Sequence, residues 1–239
     1  MKRRTWVILG ATSIIAEEFA RIAAQAGHPL LLIGRDQPQL AIIAADIKLR
    51  YQVHCDVITA DLAADINQLI KILEHHKNID LFIAHGFMVN NNHLTHDTIL
   101  DLLNINITNT TLLIHAYWHK KQSEHRLLFL SSVAACRGRA KNSLYGASKA
   151  AIEVYLQGLQ QGASHRQHIT IAKLGYIDTH LTYGEPGIFY ASPPKRCATA
   201  CWRALHAKKR TIYHPTFWRL IMGILTHIPF FIYKKISHL

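Results

Sequence analysis

The sequence predicts an α/β domain built on a doubly wound parallel sheet. Short runs of apolar residues recur along the chain, and each run is followed by a segment in which the apolar residues have helical spacing. A strand that is apolar throughout is buried on both faces, which is typical of a parallel sheet with helices on either side. The alternation begins at residue 5 and continues, without a linker or an internal repeat, to about residue 180.

Each strand and helix of this series follows from a local pattern. The predicted strands are the apolar runs at residues 5–9, within "GHPLLLIGRD", within "YQVHCDVITADL", within "IDLFIAHG", and at residues 126–130 and 169–174. The predicted helices have apolar residues three or four apart and cover residues 15–26, 38–50, 65–74, 97–120, 143–163 and 194–207. Pro38 suits the first turn of its helix, where its missing N–H has no partner to lose. A short strand, "TIYH", follows the last helix.

The chain divides into one predicted domain, residues 1–210, and an apolar, basic tail, residues 211–239. Residues 182–195 contain two glycines, three prolines and several aromatic side chains, a composition that predicts a loop over the substrate site. Arg219, His227 and Pro229 interrupt the tail, so the tail lacks the roughly 20 apolar residues of a membrane-spanning helix. It suits a helix that lies in a membrane interface, or a helix that packs on the domain or on a second copy.

Composition excludes some classes of protein and leaves others open. Hydrophobic residues make up 49% of the 239 residues, which indicates a globular protein, and the formal net charge is +12. This charge favours acidic partners such as phosphates or an anionic membrane. Without a helix-turn-helix or a base-stacking motif, we expect no nucleic-acid partner. We expect a cytoplasmic protein, which would lie at the inner face of the cytoplasmic membrane if the tail binds lipid.

The four cysteines indicate reduced thiols rather than a disulfide framework, because they are few and scattered. No histidine pair stands near them at the spacing of a zinc site, so we expect no metal. The cysteines are Cys55, Cys136, Cys197 and Cys201.

The stretch "VILGATSIIAEEFA" predicts a strand, a tight turn and a helix at the beginning of the series. A helix N-terminus presents unpaired N–H groups and the positive end of its dipole to a pyrophosphate, as in Rossmann-type dinucleotide sites. Gly10 permits the turn, and the hydroxyls of Thr12 and Ser13 add donors. Ile14 and Ala16 occupy the other glycine positions of the fingerprint. On this motif alone, an ordinary strand-to-helix turn remains the alternative.

The end of the second predicted strand bears on the choice of cofactor. An acidic residue there would bind the ribose 2′-hydroxyl of NAD, whereas an arginine can pair with the 2′-phosphate of NADP. The order here is Gly34-Arg35-Asp36. Because the arginine comes first, the sequence favours NADP (NADPH) over NAD, and Asp36 keeps NAD open.

The stretch "SLYGASKAAI" contains Tyr145 and Lys149, which share one face of a helix because they are four residues apart. A nearby ammonium favours the phenolate and lowers its pKa from about 10. Such a pair can exchange a proton near neutral pH. Ser132 follows the fifth predicted strand, at the sheet edge where ligands bind in α/β folds. For the pair alone, a buried tyrosine and a surface lysine are the alternative.

The ordered motifs "LGATSIIA", "GRD", "ADL", "IAHG", "NINIT", "FLSSVAA", "YGASK" and "LGYIDT" resemble the short-chain dehydrogenase/reductase family over residues 5–181. The resemblance implies an NAD(P)-dependent oxidoreductase in which Ser132, Tyr145 and Lys149 are catalytic. It implies that Asn106 is the asparagine that holds a water in the proton relay. Family members commonly pair through the helices here at 97–120 and 143–163, which implies a homodimer or tetramer.

The resemblance and the motifs together give a set of cofactor-binding residues. Asp61 corresponds to the aspartate that contacts the adenine, and Ile177 and Thr179 belong to the stretch that contacts the nicotinamide carboxamide. The full set is Gly10, Thr12, Ser13, Ile14, Ile15, Arg35, Asp61, Leu62, Ala84, Gly86, Tyr145, Lys149, Ile177 and Thr179.

Four departures from the family pattern indicate a divergent subfamily. Ile14 stands for a glycine, Leu174 for a proline, Asn109 for a small residue, and the tripeptide "AHG" for Asn-Ala-Gly. None of these changes removes a catalytic group.

Two features bear on the substrate. Arg137, Arg139 and Lys141 place three cations between Ser132 and Tyr145, which indicates either a solvated basic loop or a clamp on a phosphate. Together with "YHPTFWRLIMGILTHIP", this loop resembles the subfamily of decaprenylphosphoryl 2-keto-ribose reductases, which implies a lipid-linked, phosphorylated keto sugar. The alternatives are a reductase of small-molecule, acyl or steroid ketones and a non-catalytic nucleotide-binding scaffold at a membrane.

Overall fold

The structure, a computed structural model, describes residues 4–179 and 190–236. Its strands form one parallel sheet in the order β3-β2-β1-β4-β5-β6-β7. The strands are β1 (Thr5–Leu9), β2 (Leu30–Gly34), β3 (Cys55–Thr59), β4 (Ile79–Ile83), β5 (His125–Ser132), β6 (Gln167–Leu174) and β7 (Thr211–His214). The helices are α1 (Ile14–Gln25), α2 (Gln37–Tyr51), α3 (Asn67–His75), α4 (His96–Leu103), α5 (Asn109–Trp118), α6 (Ser143–Gly162), α7 (Pro194–His206), α8 (Trp218–Leu225) and α9 (Phe230–Tyr233). The predicted doubly wound α/β fold is confirmed.

The sheet is buried on both faces, as the apolar strands predict. In β1, Trp6 and Ile8 pack in the core under α1, α2 and α7, whereas Val7 and Leu9 pack in the core under α3, α5 and α6. Successive side chains of a strand point to opposite faces, so a strand that is covered on both sides is apolar at most positions.

The sheet order places the carboxyl ends of β1 and β4 side by side, although the chain reaches β4 only after β2 and β3. Ligands of open α/β sheets bind at such a switch point, beyond the carboxyl ends of the strands. The loops after β1, β4, β5 and β6 therefore meet at one edge and form the candidate site.

The predicted helix over residues 97–120 is interrupted in its middle, which sequence periodicity did not indicate. Asn104–Thr108 form a π turn, and the Asn109 N–H donates to the Asn104 carbonyl five residues before it. This extra residue shifts the helix register and separates α4 from α5. As a result Asn106 and Asn109 are both buried and find hydrogen-bond partners outside their own helix.

The tail forms two short helices rather than one amphipathic helix. Trp218 and Met222 of α8 are 5% and 6% exposed and pack on Val133, directly after β5. A Cβ at Gly175 would overlap the Trp218 indole, so the absence of a side chain there allows α8 to reach the sheet edge. Among the described helices, none is long and apolar enough to cross a membrane.

Candidate active site

Ser132 and Tyr145 are brought together by the turn after β5. The Ser132 hydroxyl oxygen accepts a 3.1 Å hydrogen bond from the Ala134 N–H, which fixes its direction at the sheet edge. Gly146 packs against the same turn, and a Cβ there would lie 2.6 Å from the Ala134 carbonyl oxygen. The glycine therefore lets the first turn of α6 approach closely enough for the Tyr145 phenol to hydrogen-bond with Ser132.

Lys149 lies one turn further along α6, with its ammonium inside the protein. Its Nζ donates to the Leu130 carbonyl at 3.0 Å and to the His85 carbonyl at 3.3 Å, and it lies 6.0 Å from the centroid of the Tyr145 ring. Gly86 makes room for it, because a Cβ there would be 3.0 Å from Nζ. Burial lowers the pKa of Lys149 to about 8, while the charge of Glu153 acts in the opposite direction.

The protonation of Tyr145 differs from the sequence-based expectation. Burial raises the pKa of the phenol, while the hydrogen bond with Ser132 and the charge of Arg139 lower it. The Lys149 ammonium donates to backbone carbonyls instead. The lowering of the phenol pKa that the sequence led us to expect from Lys149 is not one of the main effects on Tyr145. A neutral phenol is a proton donor, which is the form required to protonate a reduced carbonyl.

Asn106 anchors the loop after β4. Its Oδ1 accepts from the Phe87 N–H at 2.8 Å, and its Nδ2 donates to the Phe87 carbonyl at 2.8 Å and to the Ser148 hydroxyl at 2.9 Å. The side chain therefore hydrogen-bonds with the loop after β4 and with α6, and it positions both. The predicted water of a proton relay at Asn106 stays a prediction.

The turn after β1 has the geometry of a phosphate-binding turn. Gly10 has a φ of 75°, in the left-handed region that favours glycine, and a Cβ there would lie 2.7 Å from the backbone nitrogen of His85. Ser13 precedes α1, and its hydroxyl makes no capping bond to the helix. The first N–H groups of α1 can therefore donate hydrogen bonds to an anion. The Ile14 side chain is 45% exposed and points outward, which explains how it can replace the usual glycine. Thr12 and the buried Ile15 flank the same turn.

The two residues after β2 have different roles. The Asp36 carboxylate accepts from the Gln39 N–H at 2.9 Å and caps α2, whereas Arg35 is exposed. One carboxylate oxygen of Asp36 is therefore used by the helix, and the arginine presents its charge at the edge where the adenosine of a dinucleotide would lie.

Asn109 is a site residue that the sequence analysis noted only as a departure. Its Nδ2 donates to the Leu62 carbonyl at 2.9 Å and to the Ala64 carbonyl at 3.0 Å. It thereby ties α5 to the loop after β3, which contains the predicted adenine contacts Asp61 and Leu62. The Asp61 carboxylate accepts from the Ala63 N–H at 2.9 Å, so the loop is held at both ends. The sequence signal for this role was the asparagine itself, at a position where the family usually has a small residue.

His85 is a second such residue. Its Nε2 lies 2.7 Å from the Thr110 hydroxyl, and burial, together with the charge of Lys149, lowers its pKa to about 3. The imidazole is therefore neutral at physiological pH. With Ala84 and Gly86 on either side, it forms the floor between the phosphate turn and Lys149.

The segment after β6 is described in part. Ile177 is buried and pairs with Ser192 in a short parallel bridge, and Thr179 follows it. Of the predicted substrate loop, residues 182–189 lie outside the described residues. The Ser192 hydroxyl, from the described end of that loop, hydrogen-bonds with the His214 Nε2 at 2.9 Å.

The basic loop does not act as one cluster. Arg137 turns toward the tail, where it donates to the Leu225 carbonyl and stacks on the Tyr233 ring at 3.8 Å. Arg139 instead acts electrostatically on Tyr145, and its Nε is buried without a hydrogen-bond partner among the described residues. Lys141 lies on the surface. The idea of a three-cation clamp is therefore wrong for Arg137.

The described part of the chain holds no group of three or more histidine, cysteine, aspartate or glutamate side chains that could bind a metal ion. Cys55, Cys136, Cys197 and Cys201 are free thiols.

Comparison with known proteins agrees with this geometry. The family model for short chain dehydrogenases matches residues 4–185. An uncharacterized oxidoreductase of Mycobacterium tuberculosis is 29% identical over 239 residues, which cover 96% of this chain and 95% of that protein. The inactive hydroxysteroid dehydrogenase-like protein 1 of Homo sapiens is 28% identical over 167 residues, and this match spans 64% of the chain but about half, 49%, of that relative.

Among solved structures, a short-chain dehydrogenase from Sphingobium yanoikuyae in complex with NADPH has a TM-score of 0.82 at 21% identity, covering 95% of this chain and 96% of that chain. The likeness shows the same fold. Because the family model covers most of the chain, the protein belongs to the short-chain dehydrogenase family and is an NAD(P)-dependent oxidoreductase.

Proposed function

We propose that the protein is an NADPH-dependent ketoreductase that acts on an anionic, membrane-held keto substrate, such as a lipid-linked phosphorylated keto sugar. The observation that carries this proposal is the position of Arg139, whose charge acts on the Tyr145 phenol and whose Nε has no hydrogen-bond partner in the described part of the chain. A cation beside the proton donor is suited to an anionic group of the substrate.

When bound, NADPH would supply the hydride that reduces the carbonyl carbon of the substrate. Ser132 orients the carbonyl oxygen by a hydrogen bond, and Tyr145 donates the phenolic proton to the alkoxide that develops there. Lys149 provides positive charge behind the phenol and a donor for the cofactor ribose. Asn106 holds the loop that carries Gly86 against this lysine.

We propose NADPH as the preferred cofactor. Arg35 is exposed after β2, while Asp36 uses one carboxylate oxygen to cap α2, which favours recognition of a 2′-phosphate over a 2′-hydroxyl. The NADPH complex of the Sphingobium yanoikuyae enzyme, a protein of the same fold, supports this choice.

The tail supports a peripheral membrane contact at the inner face of the cytoplasmic membrane. Leu220 is 71% exposed on α8, and Phe230 and Phe231 are 72% and 70% exposed on α9. Lys234 and Lys235 follow directly. Aromatic and apolar side chains beside lysines suit the headgroup region of an anionic bilayer. The opposite face of α8 packs on the domain, so such a contact would lie close to the basic loop.

We also propose a homodimer or tetramer. Leu100 of α4, Leu112 of α5 and Val154 of α6 are 47%, 46% and 67% exposed. Covering these apolar side chains by a second copy would remove them from water.

A reductase of steroid, acyl or small-molecule ketones is the second candidate. In that case the charge of Arg139 would act on Tyr145 rather than on an anionic group of the substrate. A non-catalytic membrane scaffold fits less well, because Ser132, Tyr145 and Lys149 all converge on one edge.

The experiment is NADPH oxidation with a phosphorylated ketose, the same ketose without phosphate, and an aryl ketone. The proposal expects a preference for the phosphorylated ketose that Arg139→Gln reduces by about tenfold or more, the value of a charged hydrogen bond. Lys121→Gln removes an equal charge from an exposed position at the opposite sheet edge and should change nothing. A wild-type preference for the aryl ketone, unaffected by Arg139→Gln, would favour the second candidate.

A further inference from the structure

A buried carboxylate connects three elements of the active site. Glu153 of α6 is 3% exposed. Its Oε1 accepts from the Ser131 hydroxyl at 2.5 Å, and its Oε2 lies 2.7 Å from the Lys173 Nζ of β6. Ser131 directly precedes Ser132 in β5. One side chain therefore holds β5, α6 and β6 together under the reacting groups.

The ion pair itself is buried, since the side chains of Lys173 and Glu153 are 13% and 4% exposed. Burial alone would lower the pKa of Lys173, but the hydrogen bond and charge of Glu153 outweigh it and raise that pKa. The Lys173 Nζ also lies 3.7 Å from the Cys136 sulfur and 5.8 Å from the centroid of the Tyr213 ring. Buried pairs of this kind add little net stability compared with apolar residues, so stability alone does not account for this one.

Glu153 follows Lys149 by four residues, so the two share one face of α6. We propose that Glu153 is a positioning residue of the active site, which holds the Ser132 strand in register with α6 and provides the negative charge that acts on Lys149. Lys173 is its counterion and keeps the carboxylate aimed between β5 and β6. The proposal rests on the catalytic roles proposed above for Ser132 and Lys149.

The charges around Lys149 support this assignment. Tyr145 and Glu153 face it from α6 and the neutral His85 from the loop after β4, while Lys173 on β6 lies beyond Glu153. Within the described residues, Glu153 is the charged group that raises the pKa of Lys149 against the effect of burial. Without it, Lys149 would lose its proton at a lower pH.

The test is the titration of Lys149, followed by NMR of protein labelled at the lysine side chains, with Lys149→Arg to assign the signal. Glu153→Gln keeps the size and hydrogen-bonding ability of the side chain but removes its charge, so the Lys149 titration should move down by about one pH unit or more. The double change Glu153→Gln with Lys173→Met removes both charges, and it should return the titration most of the way to the wild-type value.

A matched control separates this effect from general destabilisation. Arg4 and Asp80 form another buried ion pair, 2.7 Å long, at the opposite edge of the sheet. Asp80→Asn and Glu153→Gln should both lower the thermal midpoint of unfolding, but Asp80→Asn should leave the Lys149 titration unchanged. A Glu153→Gln protein that is less stable but titrates Lys149 as the wild type does would overturn the proposal.

The titration needs no substrate, so its failure is distinct from failure of the proposed function. If no ketone supports NADPH oxidation by the wild type, the proposed function is wrong while a shifted Lys149 titration still supports Glu153. Where activity is measurable, the alkaline limb of the rate profile should move to lower pH in Glu153→Gln and not in Asp80→Asn.

Discussion

Asn109→Leu tests whether a buried amide holds the cofactor-binding loop after β3. The Asn109 amide donates to the carbonyls of Leu62 and Ala64 at 2.9 and 3.0 Å, and the residue is 8% exposed. Leucine has a similar volume, so the change removes two hydrogen bonds without a large cavity. Leaving a buried acceptor unpaired costs about 1–3 kcal/mol, and two carbonyls lose their partner here, so we expect the free energy of unfolding to fall by about 2–6 kcal/mol.

The assay is urea denaturation in parallel with NADPH titration. The loop contains Asp61, so its release should also weaken NADPH binding several-fold. Asn67→Leu is the control, because Asn67 is exposed and a surface change usually alters stability by less than about 0.5 kcal/mol. An unfolding midpoint and NADPH affinity in Asn109→Leu equal to those of the wild type would refute the reasoning.

Three further predictions concern the cofactor, pH and the tail. Arg35→Ala should weaken NADPH binding by about 1–3 kcal/mol and leave NADH binding little changed; tighter NADH than NADPH binding by the wild type would contradict the cofactor proposal. Because burial lowers the pKa of Lys149 to about 8 and its ammonium is the proposed donor to the cofactor ribose, the rate of ketone reduction should be high below that pH and fall as pH rises through it, and a rate that stays constant to about pH 10 would argue against the role. The full chain should co-sediment with anionic vesicles and not with neutral ones, and a chain that ends at His214 should lose this binding. If neither chain co-sediments with anionic vesicles, α8 and α9 only pack on the protein.

The fold was predictable because the buried strands of a parallel sheet have a recognisable apolar sequence pattern. A strand that is buried on both faces is apolar at successive positions, so residues 6–9 of β1 and residues 30–33 of β2 stand out as unbroken apolar runs. The spacing of Tyr145 and Lys149 was equally visible, since one helical turn brings them to the same face.

The π turn at Asn104–Thr108 was not predictable, because it arises from partners distant in sequence. Asn106 bonds to Phe87, and Asn109 bonds to a loop some 45 residues earlier. Apolar periodicity continues through the turn and does not report the hydrogen-bond register of the backbone. The physical reason for the interruption is the pairing of two buried amides outside their helix.

The different contacts of Arg137 and Arg139 in the basic loop were also not predictable from the sequence. Arg137 and Arg139 are two residues apart and equivalent in charge, yet Arg137 stacks on Tyr233 from the tail and the Tyr233 hydroxyl donates to the Gly138 carbonyl at 2.7 Å. A contact between residues 95 positions apart cannot be derived from the composition of either segment. The same holds for Gly175, whose missing side chain admits Trp218.

The most direct measurement of the central claim is the single-turnover rate of NADPH oxidation by Tyr145→Phe, with any ketone that the wild type reduces. The change removes the phenolic oxygen and keeps the ring, so NADPH should bind with unchanged affinity and the protein should unfold at a similar temperature. Because phenylalanine has no proton to donate, the rate should fall by several orders of magnitude, which includes the roughly 10²–10⁴-fold that general acid catalysis contributes. A Tyr145→Phe protein that reduces the ketone at a rate near that of the wild type would contradict the account.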